Sequence, residues 1–130
     1  MKNIAIVTGA SSGIGKEFFL SLQDRTEGID EIWVIARSED KLHALAALTK
    51  LPLRVFALDL SLADSAQAIK TALEEAETSI KYLICASGFG RFQAVEEDEL
   101  SILENMVDLN CRSILSVTKI CAPYMQKGGP

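Results

Sequence analysis

Thr8-Gly9-Ala10-Ser11-Ser12-Gly13-Ile14-Gly15 is the stretch whose reading decides how this chain folds. Ahead of it runs Ile4-Ala5-Ile6-Val7, unbroken apolar sequence of strand length. After it, Lys16-Glu17-Phe18-Phe19-Leu20-Ser21-Leu22 reads as part of a helix over about 13–24, with Ile14, Phe18 and Leu22 four apart on one face. The glycines therefore fall at a strand-to-helix turn. There the free backbone N–H groups and the positive end of the helix dipole aim at one point, a natural seat for a phosphate. Glycine suits such a turn because no Cβ stands between the backbone and an incoming pyrophosphate.

Outward from this turn, strand-length apolar runs alternate with helix-period segments. The first strand covers about 3–8. A second, Glu31-Ile32-Trp33-Val34-Ile35-Ala36, is apolar on both faces, as in parallel sheets covered by helices on either side. Ser38 fits an N-cap, with Glu39 and Asp40 in the first turn where the dipole favours negative charge. That helix carries Leu42, Leu45 and Leu48 and stops near Lys50, before Pro52. A third strand, 53–58, ends at Asp59. Ser61 with Asp64 has capping-box spacing for a helix running to about Glu77. A fourth strand, Tyr82-Leu83-Ile84-Cys85-Ala86, enters a loop with Gly88 and Gly90.

This alternation predicts an α/β fold: one Rossmann-like, three-layer domain over 1–130 around a parallel sheet of at least four strands. Ligands of such sheets bind beyond the carboxyl ends of the strands, where 9–15, Arg37, Asp59 and 86–90 all fall. From about Glu96 the pattern becomes one long helix, straight or kinked, reaching about Gln126. At about 100° per residue, Ser101, Glu104, Asn105, Asp108, Arg112, Ser116 and Lys119 form a polar stripe. Leu103, Met106, Ile114, Val117 and Cys121 lie opposite, widened by Ile102, Leu109 and Ile120. Asn110 projects about 200° from Asp108, into the buried face, where an amide must find hydrogen-bond partners.

Composition narrows the function classes. A 48% hydrophobic, 24% charged chain of 130 residues is one globular domain. Its net charge of −5 and the absence of a basic cluster argue against a nucleic-acid partner. No apolar run approaches the roughly 20 residues of a membrane helix and no signal-peptide pattern opens the chain, so a cytoplasmic location with no membrane partner is the expectation. Cys85, Cys111 and Cys121 fall in apolar segments without metal-ligand spacing and read as small core residues. His43, the single histidine, reads as surface or half-buried structure.

Other glycine turns fit less well. A P-loop needs G-x-x-x-x-G-K-[ST], but Ala10 stands where its first glycine belongs and Glu17 where its hydroxyl belongs. The spacing G-x-x-x-G-x-G is not the literal G-x-G-x-x-G, and a methyltransferase would place an acid at the end of the second strand. That position carries Arg37, about 20 residues past the glycines, where NAD-binding folds place a carboxylate and NADP-binding ones an arginine. A guanidinium there suits a bidentate, charge-assisted contact with a 2′-phosphate.

With these residues in view, the whole chain resembles the short-chain dehydrogenases/reductases. Thr8 to Gly15 matches that family's T-G-x-x-x-G-x-G cofactor motif without a gap. Ala36-Arg37-Ser38 looks like its NADP-preferring form, Asp59-Leu60 is similar to its acidic segment near the adenine ring, and Cys85-Ala86-Ser87-Gly88 stands where the family has N-N-A-G. Asn110 looks like its helix asparagine, which holds a water and the active-site lysine. The resemblance thus implies cofactor binding by Gly9, Ser11, Ser12, Gly13, Ile14, Gly15, Arg37, Asp59, Leu60, Ala86 and Gly88, a catalytic role for Asn110, and no metal. NADP is the implied cofactor, ahead of NAD.

The family's catalytic serine and Y-x-x-x-K pair follow the long helix, on a fifth strand and the helix after it, so the domain is expected to be incomplete, truncated before that strand; Tyr124 and Lys127 instead close the long helix. The resemblance therefore implies the cofactor-binding half of an oxidoreductase that moves a hydride between nicotinamide and a small-molecule carbonyl or alcohol substrate. The chain alone is expected to bind cofactor without turnover, and to self-associate through an open sheet edge or the apolar arc of the long helix. A complete dinucleotide-binding sensor and a purely structural, oligomerising fragment remain the alternatives.

Overall fold

A computed structural model describes residues 1–88 and 95–126; Gly90 and 127–130, named above, lie outside them. Among the described residues four strands, β1 (Lys2–Thr8), β2 (Glu31–Ala36), β3 (Leu53–Ala57) and β4 (Thr78–Cys85), form one parallel sheet in the order β3-β2-β1-β4. This is the Rossmann-like three-layer arrangement. Period-two alternation divides the core: Ile4, Ile6, Trp33 and Ile35 point to one face, and Ala5, Val7, Ile32 and Val34 to the other. The first face is covered by Ile69 and Leu73 of α3 (Ala66–Ala76) with Val117 and Cys121 of α5 (Ser113–Cys121). The second is covered by Phe19 and Leu22 of α1 (Gly13–Leu22) and Leu42 of α2 (Glu39–Ala44). The chain leaves β1 for β2 and β3 on one side and returns to β4 on the other. The strand order therefore reverses at β1, opening a crevice at its carboxyl end.

Several expectations are corrected. Ile14 and Phe18 do not face the core: they are 72% and 48% exposed, and the buried line of α1 is Gly15, Phe19 and Leu22. Gly15 lies against the backbone of Gly9, which fixes the rotation of the helix and carries Phe19, one turn on, inward. Leu48, in a 3-10 turn after α2, is likewise exposed. Ser61 and Asp64 form no capping box. The Asp59 carboxylate accepts from the Ser61 N–H (3.0 Å) and hydroxyl (2.6 Å), a local Asx turn, and α3 begins only at Ala66. Strand β4 starts at Thr78, four residues before the expected Tyr82, because Glu77 reverses the chain in a single left-handed step (φ 47°).

The long helix runs unbroken from Leu100 to Tyr124, within the expected span, but not in one register: α4 (Leu100–Val107) passes into a π-helical turn, Asp108–Arg112, before α5, and a 3-10 turn at Ala122–Tyr124 ends it. Pro123 has no N–H to continue the ladder. Met125 then pairs in parallel with Ile80, and the Gln126 N–H donates to the Ile80 carbonyl at 2.9 Å, so the chain begins to line the free edge of β4. A wheel drawn at a constant 100° per residue does not carry through the π turn. The Ser113 N–H reaches back to the Asp108 carbonyl, and the Leu109 carbonyl takes the Ser113 hydroxyl instead. Ser113, Val117 and Cys121 are the buried line of α5, while Ile114 turns out.

Of the three cysteines only Cys121 is fully buried; Cys85 is partly buried and Cys111 is exposed, correcting its assignment to the core. Burial, with Cys85 as a neighbour, pushes the Cys121 thiol up to about 12, and burial also raises Cys85 against a lowering hydrogen bond with Thr118. His43 is exposed and pairs with Glu39 at 3.4 Å, as expected of a structural residue. No helix among the described residues is long and apolar enough to cross a membrane. Since thiolate is the reactive form, an aromatic disulfide reagent at pH 8 is expected to titrate Cys111 at once and Cys121 only after denaturation. Mass mapping of the labelled peptides checks this, and rapid native labelling of Cys121 contradicts the fold described.

Candidate functional site: a cleft at the carboxyl ends of the strands

The turn after β1 is built from backbone contacts. Gly9 has φ 67°, its N–H donates to the Ile35 carbonyl at 2.8 Å, and a Cβ placed on it would stand 2.6 Å from the Ala86 carbonyl oxygen. A Cβ on Gly15 would run into the carbonyl of Gly9. Gly13 differs: its φ of 55° calls for glycine, but the space beside it is open. Thr8 braces the same junction from within. Its buried hydroxyl oxygen accepts from the N–H groups of Ala86 (3.0 Å) and Ser87 (3.3 Å), tying the end of β1 to the loop after β4. Where the family carries N-N-A-G, Cys85-Ala86-Ser87-Gly88 is thus held by Thr8 through its backbone.

Ser12, extended at φ −161°, precedes α1 without a side-chain cap, and no acidic residue stands in the first turn. The leading N–H groups of a ten-residue helix are left to whatever occupies the cleft. The cleft has a volume of about 370 Å³. Gly9, Ser11, Ser12, Gly13, Ile14, Arg37, Asp59, Leu60, Ala86 and Gly88 all line it, so ten of the residues read from the sequence come together from four loops. Gly15 stands behind the wall, packed on Gly9. Asn110 sits in the π turn, and its side-chain oxygen lies 2.5 Å from where a Cβ of Gly88 would be, so Gly88 leaves the room that the amide fills.

Six more residues line the cleft without being among the site residues the sequence points to: Ala36, Ser38, Lys41, Leu58, Ser87 and Leu109. Ser38 caps α2, as its sequence position implies, its hydroxyl accepting the Lys41 N–H at 3.4 Å. The legible signal was the spacing of Lys41, four after Arg37 across a capped first turn. The charged lining is Arg37, Lys41 and Asp59, two cations and one carboxylate, in a chain of net charge −5. A local excess of positive charge on an acidic molecule suits an anionic ligand that also carries a donor for the Asp59 carboxylate to accept. Among the described residues no group of histidine, cysteine, aspartate and glutamate is disposed to hold a metal ion.

An uncapped glycine turn, a cationic tip on the second strand and a crevice at the strand-order reversal define the class of dinucleotide-fold α/β proteins. The chain belongs to the short-chain dehydrogenase family, whose model matches residues 3–130. It is 31% identical over 134 residues to a very-long-chain 3-oxoacyl-CoA reductase of Ajellomyces capsulatus, covering 95% of this chain and 38% of that protein. Among solved structures, the bulky-bulky ketone specific alcohol dehydrogenase from Comamonas testosteroni superposes with a TM-score of 0.80 at 28% identity, covering 92% of this chain and 48% of that one. A metagenomic short-chain oxidoreductase in complex with NADP also gives a TM-score of 0.80, at 26% identity over 94% of this chain and 56% of its own. The chain spans between 35% and 54% of the length of the curated relatives it matches.

The backbone contacts of the turn rank three substitutions. Gly9→Ala combines a left-handed penalty of about 1–2 kcal/mol with overpacking of about 1–3 kcal/mol. Gly13→Ala carries the first penalty alone, and Thr8→Val leaves two N–H groups unmet at about 1–3 kcal/mol each. Urea unfolding is expected to place Gly13→Ala as the mildest of the three, and a Gly13→Ala less stable than Gly9→Ala overturns the account of the turn.

Proposed function

We propose that this chain is the cofactor-holding part of an NADP-dependent oxidoreductase, which moves a hydride between the nicotinamide and a carbonyl or alcohol carbon. The observation that carries this reading is the meeting of the Gly9–Gly15 turn, Arg37, Asp59-Leu60 and Ala86–Gly88 on one cleft. The residues fit the dinucleotide by shape as well as charge: Gly9 packed on the Ala86 carbonyl and Gly15 on the Gly9 carbonyl keep the turn tight, and the space beside Gly13 at the start of α1 is open for a pyrophosphate. The uncapped N–H groups at Gly13, Ile14 and Gly15 would hold the pyrophosphate, with Ser11 and Ser12 beside them. Arg37, with Lys41 beside it, would hold the 2′-phosphate and favour NADP over NAD. Asp59 and Leu60 would take the adenine end, and Ala86 and Gly88 the backbone approach after β4.

When bound, the cofactor supplies the hydride. Asn110, seated against Gly88, would serve as the active-site helix asparagine and position a water by its amide. Proton transfer to a carbonyl needs a tyrosine whose pKa a lysine lowers. Tyr82 packs with the α1 and α2 layer and Tyr124 with the α3 and α5 layer, so neither reaches the cleft. The 130-residue chain by itself is therefore expected to bind without turning over. The reductase and alcohol dehydrogenase relatives support a carbonyl or alcohol substrate for the whole protein.

Titration calorimetry tests the assignment. NADPH is expected to bind at least tenfold more tightly than NADH. Arg37→Ala is expected to remove most of that difference, about 1.5–3 kcal/mol for a charge-assisted contact, while leaving NADH binding unchanged. Tighter binding of NADH overturns the role of Arg37, and no heat or thermal shift with either nucleotide favours a structural chain.

Self-association follows from the outer face of the last helices. Leu100, Val107 and Leu115 are 70%, 59% and 70% exposed. An apolar run of this kind favours pairing with a second copy. Light scattering at tens of micromolar is expected to give a mass above that of one chain, and a Val107→Glu variant to lower it; a monomer mass for the unaltered chain contradicts this.

A further inference from the structure

Two segments that meet the cleft from different parts of the chain are stitched together by one side chain. The Arg112 guanidinium, in the π turn, donates through one terminal nitrogen to the backbone carbonyl of Ser61. Its Nε donates to the Asp108 carboxylate at 3.1 Å, one turn back. Ser61 is buried and is itself locked to Asp59 by its N–H and hydroxyl, while the Ser65 hydroxyl donates to the Asp59 carbonyl at 2.6 Å. The chain of contacts therefore runs Asp108, Arg112, Ser61, Asp59. It joins the wall formed by Asp59 and Leu60 to the turn that carries Leu109 and Asn110.

Resting on the dinucleotide reading above, we infer that Arg112 is a positioning residue that fixes the adenine end of the cleft. It does so by holding the Asp59–Ser61 turn against the π turn. Leu60 and Leu109 both line the cleft, and both belong to or pack against the same core layer as Val117 and Ile69. Arg112 spans the two segments that carry them. The choice of arginine is physical. Its guanidinium serves a carboxylate and a carbonyl at once from a rigid planar fork, whereas lysine, a compact donor on a flexible stem, fixes the same two partners less firmly. Because Arg112 does not itself line the cleft, its effect on a ligand is indirect.

The test compares the unaltered chain with Arg112→Met and Arg112→Lys, using NADPH and adenosine 2′,5′-bisphosphate, which carries only the adenosine end. Both variants are expected to keep the circular dichroism of the parent and a similar melting temperature. Arg112→Met is expected to bind both probes about tenfold more weakly by the same factor, with Arg112→Lys between it and the parent. Hydrogen exchange in the absence of ligand is expected to quicken at the Ser61, Leu62 and Ser65 amides and in 108–113, and to stay unchanged in β1 and β2. Unchanged binding of the bisphosphate by folded Arg112→Met overturns the inference, as does a loss confined to NADPH or a uniform rise in exchange across the sheet. A parent chain that binds neither probe overturns the dinucleotide reading, and this inference with it.

Discussion

Everything at the carboxyl end of the sheet depends on how closely three backbone segments approach at Gly9. The carbonyl of Ala86 lies on one side of it and the first turn of α1, at Gly15, on the other, and neither contact leaves room for a side chain. This approach sets where α1 begins and how it is rotated. It also holds the loop after β4 within reach of the Thr8 hydroxyl, which accepts two of that loop's N–H groups. The steric constraint and the two hydrogen bonds act on the same junction, so the strand order and the shape of the cleft are aspects of one packing problem. The exposed Ile14 and Phe18 follow from it: once Gly15 faces Gly9, that stripe of the helix has nowhere to point but outward.

The second organising feature is the π turn in the helical stretch after α4. Its displaced hydrogen bond frees the Leu109 carbonyl for the Ser113 hydroxyl and lets a serine sit in the buried line of α5 without an unmet polar group. The same turn carries Asn110 to the open side of Gly88 and Arg112 to the Ser61 carbonyl. Irregular helical turns of this kind are frequent at functional sites because they aim side chains that a regular helix would send elsewhere. Here one turn serves both ends of the cleft, the loop after β4 by Asn110 and the loop after β3 by Arg112.

Charge and shape agree on the kind of ligand the cleft accepts. The molecule is acidic as a whole, yet Arg37 and Lys41 outnumber Asp59 along the lining, and an uncapped helix opens onto the same space. Membership of the short-chain dehydrogenase family and the superposition with an NADP-bound oxidoreductase accord with that chemistry. The chain covers about half the length of the solved relatives it superposes on, so the substrate is a question for the whole protein.

The sequence by itself determined the parallel order of events along the chain. Unbroken apolar strands such as Glu31–Ala36, separated by helical spacing and capped at Ser38, admit little else, because burial on both faces demands helices on both sides. It also determined ten of the residues that line the cleft, since residues at the carboxyl ends of parallel strands are neighbours whatever their separation along the chain. What only the tertiary structure decided was rotation and phase: which side of α1 is buried, where a π turn shifts the register of the last helix, how early β4 begins, and that Lys41 and Arg112 belong to the story. Local periodicity registers the spacing of apolar residues, but it carries no record of a backbone contact such as Gly15 on Gly9 or of a carbonyl such as Ser61's awaiting a partner 51 residues away. Those contacts are made between segments, and they fix the phase that a single helix or strand leaves open.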